Sequence, residues 1–478
     1  MDEQKAVTNR RGFLKTATVA GVATAATTGT INAVFPALLP ENMSFEANRS
    51  YWSDALLPEG PPLERDLEAD IAVIGGGLTG LSAAFYLKEM ARPARVILLE
   101  AARCGNGASA RNGAMLLTST EDSYLEWSGN PALDKRVYDL TVDNARRMGD
   151  LALRFNCDAD LEQTGALQMC NTDEQAREAE EYVRKARGAG FPYEYWDRSQ
   201  VRDVIGTDAY PGATFDPNSG QAHPGKLVNL FKIAALSSGV ELYENTPVIR
   251  LEEGERFSLT LGNGRMIRAG TLVLATNAYS SKLGYLRSAT TPVFDYVAMT
   301  APLAGTRLAE IGWKKRIPFN DSRTEVYYLG LTKENRIHIG GGPVDYVFNN
   351  GLREPLGAEK RFEGLHAELV KIFPDLADTP FERTWSGVVD MSLDEKPAVG
   401  SMGRNNNLYY AIGFSGHGLN LTSVFGRIVA DLVNGKSQEW SWFPYLNRTP
   451  LYIPNEPFRW MGVRAALSYY RAHDPRTP

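Results

Sequence analysis

The sequence predicts an α/β protein of two domains, and three features support that prediction. The chain has 478 residues, which is too long for one ordinary domain. It contains 44 Gly but only three Cys, a balance that favours many tight turns over a disulfide scaffold. Hydrophobic residues make up 43% and charged residues 23%, as in a globular protein.

Charge and histidine content exclude two classes of function. The chain has 51 Lys+Arg against 57 Asp+Glu, and no basic block lies outside the extreme N-terminus, so no nucleic-acid partner is expected. Five scattered His and three Cys leave little material for a metal site, and none is predicted.

Residues 1–40 have the pattern of a targeting segment. The pair Arg10 and Arg11 precedes a weakly apolar stretch, residues 16–39, that is rich in Ala, Thr and Gly. This order resembles a twin-arginine export signal. A permanent membrane anchor is the competing interpretation, which the Thr and Gly content and Pro36 disfavour. We therefore expect export to the periplasm by the twin-arginine machinery, with peripheral membrane contact if the signal is retained. Because that pathway carries folded proteins, a tightly bound cofactor is expected as well.

The folded part opens with a phosphate-binding turn. An apolar run at residues 71–74 predicts a buried strand, and Gly75, Gly77 and Gly80 follow it before apolar residues recur at helical spacing from Leu81. Gly75 permits the tight turn, Gly77 lets the backbone approach a diphosphate, and Gly80 packs the helix on the sheet. The start of the helix supplies amide donors and a positive dipole. The sequence thus predicts a Rossmann-like dinucleotide site.

A second strand strengthens this prediction. Residues 95–99 are mostly apolar and end at Glu100, an acid placed to accept hydrogen bonds from a ribose. Leu78, Thr79 and Ala101 are assigned to the same site. The glycine pattern alone does not separate FAD from NAD. A second glycine cluster, residues 339–343, has no helical segment after it and predicts the end of a strand.

Further segments decide between the two cofactors. In chain order they are residues 108–115, 221–227, 239–248, 271–279, 385–397 and 413–418. They resemble, in the right order, segments of the D-amino-acid oxidase/sarcosine oxidase superfamily of FAD enzymes, and the resemblance runs from about residue 67 to about 445. The opening residues 50–52 and the closing residues 461–471 look most like γ-glutamylputrescine-oxidase-type amine oxidoreductases.

The resemblance implies a discontinuous, Rossmann-like FAD-binding domain and a smaller α+β substrate domain with a mixed or antiparallel sheet. The FAD-binding domain is expected at 67–125, 222–290 and 383–445. The substrate domain is expected at 126–221 and 291–382, with helices at 131–155 and 172–189, and a C-terminal tail at 446–478. The cofactor-binding residues that follow are Gly75, Gly77, Leu78, Thr79, Gly80, Glu100, Ala101, Ser109, Arg111, Asn112, Gly113, Ala114, Val248, Thr276, Asn277, Gly387, Gly413, Gly416, His417 and Gly418.

The resemblance also predicts how FAD is held. Members of this superfamily that bind flavin covalently use a Cys near the position of Val388 and Val389, or a His in the loop at 108–115, and both are missing here. Dissociable FAD is therefore expected. The helix that begins near Gly418 would direct its positive N-terminus at the N1/O2 edge of the flavin.

The substrate prediction depends on missing cations. Relatives carry a Lys where Asn420 stands and an Arg where Gly330 stands, and both cations serve the substrate carboxylate. Their absence favours an amine without that carboxylate, although Arg323 or Arg287 is a possible substitute. Hydride transfer from the carbon beside nitrogen to flavin N5 needs that carbon about 3–3.5 Å from the ring, and an aromatic wall would favour the neutral amine. The predicted catalytic residues are Tyr328, Trp385, Phe414 and His417, and the predicted substrate contacts are Tyr296, Tyr327 and Asn420.

The sequence thus predicts an exported FAD-dependent oxidoreductase that acts on a C–N bond. Either oxygen or a respiratory carrier would reoxidise the flavin, and the sequence does not choose between them. An NAD-linked dehydrogenase is a weaker alternative. A catalytically silent flavoprotein that serves in binding or assembly is the other, because two cations are missing.

Overall fold

The computed structural model describes residues 49–90, 94–118 and 128–474, so the predicted targeting segment lies outside the described residues. The strands are β1 Leu67–Ile74, β2 Val96–Leu99, β3 Met115–Leu116, β4 Ala166–Cys170, β5 Glu194–Asp197, β6 Gly212–Asp216, β7 Gly220–Gln221, β8 Glu241–Tyr243, β9 Val248–Glu252, β10 Phe257–Leu261, β11 Met266–Leu274, β12 Thr290–Thr300, β13 Phe319–Asp321, β14 Tyr327–Leu331, β15 Ile337–Gly341, β16 Phe381–Ser392, β17 Ala398–Met402 and β18 Leu408–Ile412. The α-helices are α1 Leu78–Glu89, α2 Pro131–Arg154, α3 Asp173–Gly188, α4 Arg198–Ile205, α5 Pro224–Ser237, α6 Gly305–Ile311, α7 Glu359–Ile372, α8 Gly418–Val433 and α9 Phe458–His473.

The first sheet has the parallel core that is expected from the glycine turn, the turn formed by Gly75, Gly77 and Gly80. Its strand order is β17-β18-β11-β1-β2-β8, and the pairs from β18 to β8 are parallel. Ala72 and Val73 in β1 are completely buried. Val73 belongs to the core that contains residues of α1 and α8, and Ala72 to the core that contains residues of β10, so both faces of β1 are covered. Helices α1 and α8 pack so closely that a Cβ on Gly426 would lie 2.1 Å from Ser82 Oγ. Gly426 therefore sets the spacing of these two helices.

The second sheet has eight strands in the order β16-β12-β15-β14-β13-β4-β6-β5. Its pairs are antiparallel except for the parallel pair β13–β4, so the predicted mixed sheet is confirmed. A separate core of buried residues, which includes Leu329, Ile339 and Leu369, joins this sheet to helix α7. The α/β fold with two sheet-based parts is thereby confirmed.

Two predicted boundaries differ from the structure. The prediction placed residues from 383 in the FAD-binding domain, but β16 pairs with β12 from Thr290↔Ser392 to Thr300↔Phe381 and belongs to the second sheet. Residues 446–478 were predicted to be a tail, yet Phe458–His473 forms helix α9. Both errors arose because strand pairing and helix docking are long-range contacts that a local pattern does not carry. No helix in the described ranges is long and apolar enough to cross a membrane.

Candidate cofactor and substrate site

A cavity of about 1390 Å³ lies between the two sheets. On one side the carboxyl ends of β1, β2 and β11 open onto it, together with the starts of α1 and α8. This is the edge of a parallel sheet where ligands bind. On the other side it is bounded by β12, β14 and β16 and covered by α9. A ligand held at the first sheet therefore shares one space with any molecule bound at the second.

The glycine turn has the geometry that a diphosphate needs. Gly75 has φ +107°, and a Cβ there would lie 2.4 Å from the Ala275 carbonyl oxygen. A Cβ on Gly80 would lie 1.9 Å from the Gly75 carbonyl oxygen, so the helix start packs directly on the turn. Helix α1 follows Gly77 and carries no acidic residue in its first turn. Its amides and positive dipole therefore remain suited to an anionic ligand.

Glu100 is held at the cavity by backbone amides. Its Oε2 accepts a hydrogen bond from the Gly76 amide at 2.6 Å, and its Oε1 accepts one from the Ala102 amide at 2.9 Å. Burial raises the pKa of the Glu100 carboxyl, which these amide bonds oppose. A third backbone bond comes from the Ala101 amide, and a carboxylate has about four acceptor sites, so Glu100 can still accept a bond from a ribose hydroxyl.

The segment at residues 105–115 is clamped to both sheets. Arg111 is 8% exposed and donates through Nε to the Asn106 carbonyl at 2.8 Å and through Nη1 to the Ser386 carbonyl at 2.9 Å. Trp385 Nε1 donates to the Arg111 carbonyl at 2.9 Å, and Ser109 Oγ accepts from the Leu78 amide at 2.9 Å. The segment is thereby fixed between the start of α1 and strand β16.

His338 in β15 also contacts the segment at residues 105–115. Its Nε2 lies 2.9 Å from the Gly113 carbonyl oxygen, so the neutral ring must donate there. Burial lowers the pKa of His338 to about 4. Its Nδ1 is buried without a hydrogen-bond partner among the described residues. Protonation would therefore create a buried donor with nothing to accept it.

We expect His338 to make folding stability depend on pH. Its pKa falls from 6.5 in the unfolded chain to about 4 in the folded protein, so the unfolded chain binds more protons between those values. The stabilisation is complete above pH 6.5 and is lost as the pH falls towards 4, by on the order of 3 kcal/mol. Urea unfolding at pH 7 and pH 5 measures the difference, and His338→Gln should show a smaller loss than the wild type. An equal loss in both proteins contradicts this role.

The start of helix α8 faces the cavity from the other end. Gly416 and His417 precede the helix, which carries no acidic residue in its first turn. Gly413, with φ +75°, donates its amide to Asp390 Oδ2 at 3.1 Å and so fixes the turn that enters the helix. The positive end of α8 is therefore directed into the cavity, as the sequence predicted.

Several buried polar atoms on the cavity wall have no partner among the described residues. They are Asn277 Oδ1, Thr291 Oγ1, Asp390 Oδ1 and Thr422 Oγ1. Buried polar atoms are nearly always hydrogen-bonded in folded proteins. These four atoms have almost no exposed surface, so the fit of a ligand depends on the rest of the wall. The glycine turn, the start of α1 and Glu100 fit a dinucleotide such as FAD.

Tyr328 and Asp295 form a pair on the side of the second sheet. Tyr328 donates its hydroxyl to Asp295 Oδ2 at 2.7 Å, and both residues line the cavity. The Tyr328 ring packs so closely on Gly113 that a Cβ there would lie 2.3 Å from ring carbon Cε2. Burial raises the pKa of Asp295 to about 6, an effect that the bond from Tyr328 opposes. The pair thus joins the second sheet to the segment at 105–115.

Comparison with known proteins agrees with this site. The family model described as "FAD dependent oxidoreductase" (DAO) matches residues 70–432, a span that includes the glycine turn and the start of α8. The chain belongs to the DAO family. The superfamily resemblance and FAD as the cofactor are thereby confirmed. The protein is an FAD-dependent oxidoreductase, and the NAD-linked alternative is set aside.

Individual relatives cover nearly the whole chain. It is 28% identical to the γ-glutamylputrescine oxidoreductase of Escherichia coli over 443 residues, which are 90% of this chain and 99% of that protein. It is 26% identical to the probable oxidoreductase OrdL of Haemophilus influenzae, over 89% and 97% of the two chains. The crystal structure of glycine oxidase from Geobacillus kaustophilus shares the fold with a TM-score of 0.67 at 22% identity, over 80% and 99% of the two chains.

Most residues predicted for the site of this DAO-family protein lie on the cavity wall. They are Gly75, Gly77, Leu78, Thr79, Glu100, Ala101, Ser109, Arg111, Asn112, Gly113, Val248, Thr276, Asn277, Tyr328, Gly387, Phe414, Gly416, His417 and Gly418. Gly80, Ala114 and Gly413 lie behind the wall and act through the backbone of the turns that they form. The structure therefore brings together residues as far apart in sequence as Gly75 and Gly418.

Four further predicted site residues lie off the cavity wall, away from the turns that border it. Asn420 is 1% exposed, and its side chain donates to the carbonyls of Leu117 and Thr141, so it ties α8 to α2 and contacts no substrate space. Trp385 is fully buried under the segment at 105–115. For these two residues the predicted substrate and catalytic roles are wrong because their polar groups serve the backbone.

Tyr296 and Tyr327 were predicted as substrate contacts and also lie elsewhere. Tyr296 is fully buried and donates its hydroxyl to Asp345 Oδ2 at 2.9 Å on the far face of the second sheet. The ring of Tyr327 packs under the Arg323 guanidinium, 4.1 Å from its centroid. Arg323 itself pairs with Asp321 and Glu368. Arg323 is therefore no substitute for the missing carboxylate-binding cations.

Sequence reasoning missed two parts of the site. Asp295 is a lone acid in the apolar strand β12, and that isolation was a usable signal. Helix α9 contributes residues to the cavity wall and is held there by the amides of Thr324 and Glu325, each of which donates to Asp474 at 2.8 Å. No local motif marks this helix as part of the site. The residues that it places on the wall are Phe458, Arg459, Gly462, Val463, Ala466, Leu467 and Tyr470.

Proposed function

We propose that this FAD-dependent oxidoreductase oxidises the C–N bond of an amine or amino-acid-like substrate. The observation that carries the proposal is the continuity of the cavity, which runs from the diphosphate-binding turn to the Tyr328–Asp295 pair on the second sheet. When bound, FAD supplies a ring whose N5 atom accepts a hydride from carbon. The chain has only to hold the substrate against that ring and to exclude water.

The residues of the chain fit those tasks. Gly75, Gly77 and the start of α1 would hold the diphosphate, and Glu100 would hold the ribose. Phe414 and Tyr328 form apolar parts of the wall, and α9 covers the cavity on the side of the second sheet. Such a partly apolar space favours the neutral form of an amine by desolvating its cation.

We infer that the FAD is held without a covalent bond. Cys104, Cys157 and Cys170 lie off the cavity wall, and residues 108–115 contain no His. The glycine turn, Glu100 and the two helix starts would supply non-covalent contacts for a dinucleotide. Release of the colour by acid precipitation tests this inference.

We also propose export by the twin-arginine machinery, which rests on residues 1–40 alone. Replacement of Arg10 and Arg11 by Lys should keep the protein in the cytoplasm. Fractionation of cells with and without the twin-arginine translocase measures the location of the protein. Unchanged export of the Lys variant, or of the wild type in cells without the translocase, would refute the proposal. Peripheral contact with the membrane is proposed only for a chain that keeps this segment.

Anaerobic titration with a panel of amines and α-amino acids tests the catalytic proposal. At least one amine should bleach the visible flavin absorption, and amines should do so at lower concentration than the corresponding α-amino acids. If no compound of either class bleaches it, the protein is a silent flavoprotein and the proposal fails. The peroxide yield in air then separates oxygen from a respiratory carrier as the oxidant.

A further inference from the structure

Asp295 is a half-buried carboxylate on the cavity wall that lacks a cation. Its Oδ2 accepts from the Tyr328 hydroxyl at 2.7 Å, and its Oδ1 accepts from the Tyr296 amide at 2.9 Å. No Arg or Lys in the described ranges 49–90, 94–118 and 128–474 forms an ion pair with it. A partly buried charge of this kind is costly unless something neutralises it.

Among the buried acids of the described residues, Asp216 and Asp390 are hydrogen-bonded by hydroxyls and amides, and others have cations. Asp321 pairs with Arg323, and Glu244 pairs with Lys232 at 2.7 Å. Asp295 differs from both because it is partly exposed, and the space that it faces is the cavity. The missing positive charge at Asp295 is therefore one that a molecule in the cavity can bring.

The position of Asp295 suits a substrate group. It lies opposite Gly387 in the β12–β16 ladder, and Gly387 packs directly against Arg111 of the cofactor segment, whose Cβ would be 3.2 Å from a Cβ there. Its partner Tyr328 packs on Gly113 in the segment assigned to the cofactor. Asp295 thus lies where the second sheet meets the cofactor segment.

We propose that Asp295 binds the ammonium group of the substrate and thereby selects amines that carry no α-carboxylate. This inference rests on the proposed function. A second carboxylate next to the amine would face Asp295 with like charge in a space of low dielectric, whereas an ammonium forms a charge-assisted hydrogen bond with it. Tyr328 is a positioning residue, since its hydroxyl fixes Asp295 Oδ2.

Asp295 also accounts for the proton that an amine must lose before it is oxidised. One N–H bond of the ammonium breaks, an O–H bond forms on Asp295, and the electron pair stays on nitrogen. One positive and one negative charge become two neutral groups, so total charge is conserved. Burial favours that neutral pair over separated ions, and the raised pKa of Asp295 agrees with such a role.

Ligands that resist oxidation test the proposal without turnover. The probes are 2-phenylpropan-2-amine, the matching alcohol 2-phenylpropan-2-ol, and α-methylphenylglycine, in which a carboxylate replaces one methyl group of the amine. None has a hydrogen on the carbon that would be oxidised. Titration calorimetry on the FAD-loaded protein at pH 7 should show the amine binding about tenfold or more tightly than either of the other two. Equal binding of the amine and the amino acid by the wild type overturns the proposal.

Variants make the test specific to Asp295. Asp295→Asn should weaken binding of the amine about tenfold or more, and binding of the alcohol less than about twofold. Tyr328→Phe should weaken binding of the amine by a smaller factor, because the Asp295 carboxylate remains. Asp378→Asn, which removes a carboxylate with an 80% exposed side chain, is the control for net charge and should bind all three probes like the wild type.

The outcomes separate this inference from the proposed function. FAD content and Tm show that each variant is loaded and folded. If amines bleach the flavin but Asp295→Asn keeps the wild-type preference for the amine probe, the inference fails and the function stands. If no amine bleaches the flavin, the proposed function is wrong, whatever the binding of the probes shows. If Asp295→Asn does not retain FAD, the inference is still tested by the wild-type protein, which should bind the amine probe more tightly than the amino-acid probe.

Discussion

Gly75→Ala is expected to weaken FAD binding by roughly 30- to 100-fold. Gly75 has φ +107°, which an L side chain rarely adopts, and a Cβ there would lie 2.4 Å from the Ala275 carbonyl oxygen. The turn must therefore open, and the amides at the start of α1 move away from the diphosphate. Titration of the apoprotein with FAD, followed by fluorescence, measures the change.

Gly264→Ala is the matched control for backbone strain. Gly264 also has positive φ, +81°, but a Cβ there would meet no atom within 4 Å. It lies between β10 and β11, away from the cavity wall. We expect a modest loss of stability with unchanged affinity for FAD. If both variants weaken FAD binding to the same extent, the effect comes from backbone strain in general and not from the turn at Gly75.

Lys232→Met is expected to lower the free energy of unfolding by about 3–5 kcal/mol. Lys232 Nζ lies 2.7 Å from Glu244 Oε2, and the two side chains are 6% and 0% exposed. Glu244 Oε1 also accepts from the Cys104 amide at 2.6 Å, so it holds the backbone just after Glu100. Loss of the lysine leaves that carboxylate buried without its cation.

Urea denaturation of the FAD-loaded protein measures this loss. The double variant Lys232→Met with Glu244→Gln removes the uncompensated charge and should recover part of the stability. A single variant that loses less than about 1 kcal/mol, or a double variant that is no better than the single one, would contradict the importance of this pair.

Local patterns predicted the cofactor half of the protein well. Gly75 is needed for its positive φ, and Gly80 because a Cβ there would lie 1.9 Å from the Gly75 carbonyl oxygen; both requirements arise within a short stretch of sequence. Glu100 follows from the length of one strand–helix–strand unit. The switch from strand to helix at residues 74–78 is equally local. This part of the fold therefore follows from spacing alone.

The substrate half was predicted less well because its residues are decided by distant neighbours. Asn420 is one residue from Leu419, which lines the cavity, but a helix turns about 100° per residue and directs Asn420 to Asn144 in α2. Tyr296 follows Asp295 in β12, and strand alternation sends the two to opposite faces. Neither direction is fixed until the elements around it are in place.

The account rests on FAD bound without a covalent bond in the cavity between the two sheets. The measurement that tests it most directly is the FAD content of the supernatant after acid precipitation of the purified protein. We predict one FAD per chain in the supernatant, a colourless pellet, and recovery of the colour when the protein is refolded with FAD. Protein that is colourless as purified and stays so after refolding with FAD would contradict the account, and so would flavin that remains on the precipitated chain.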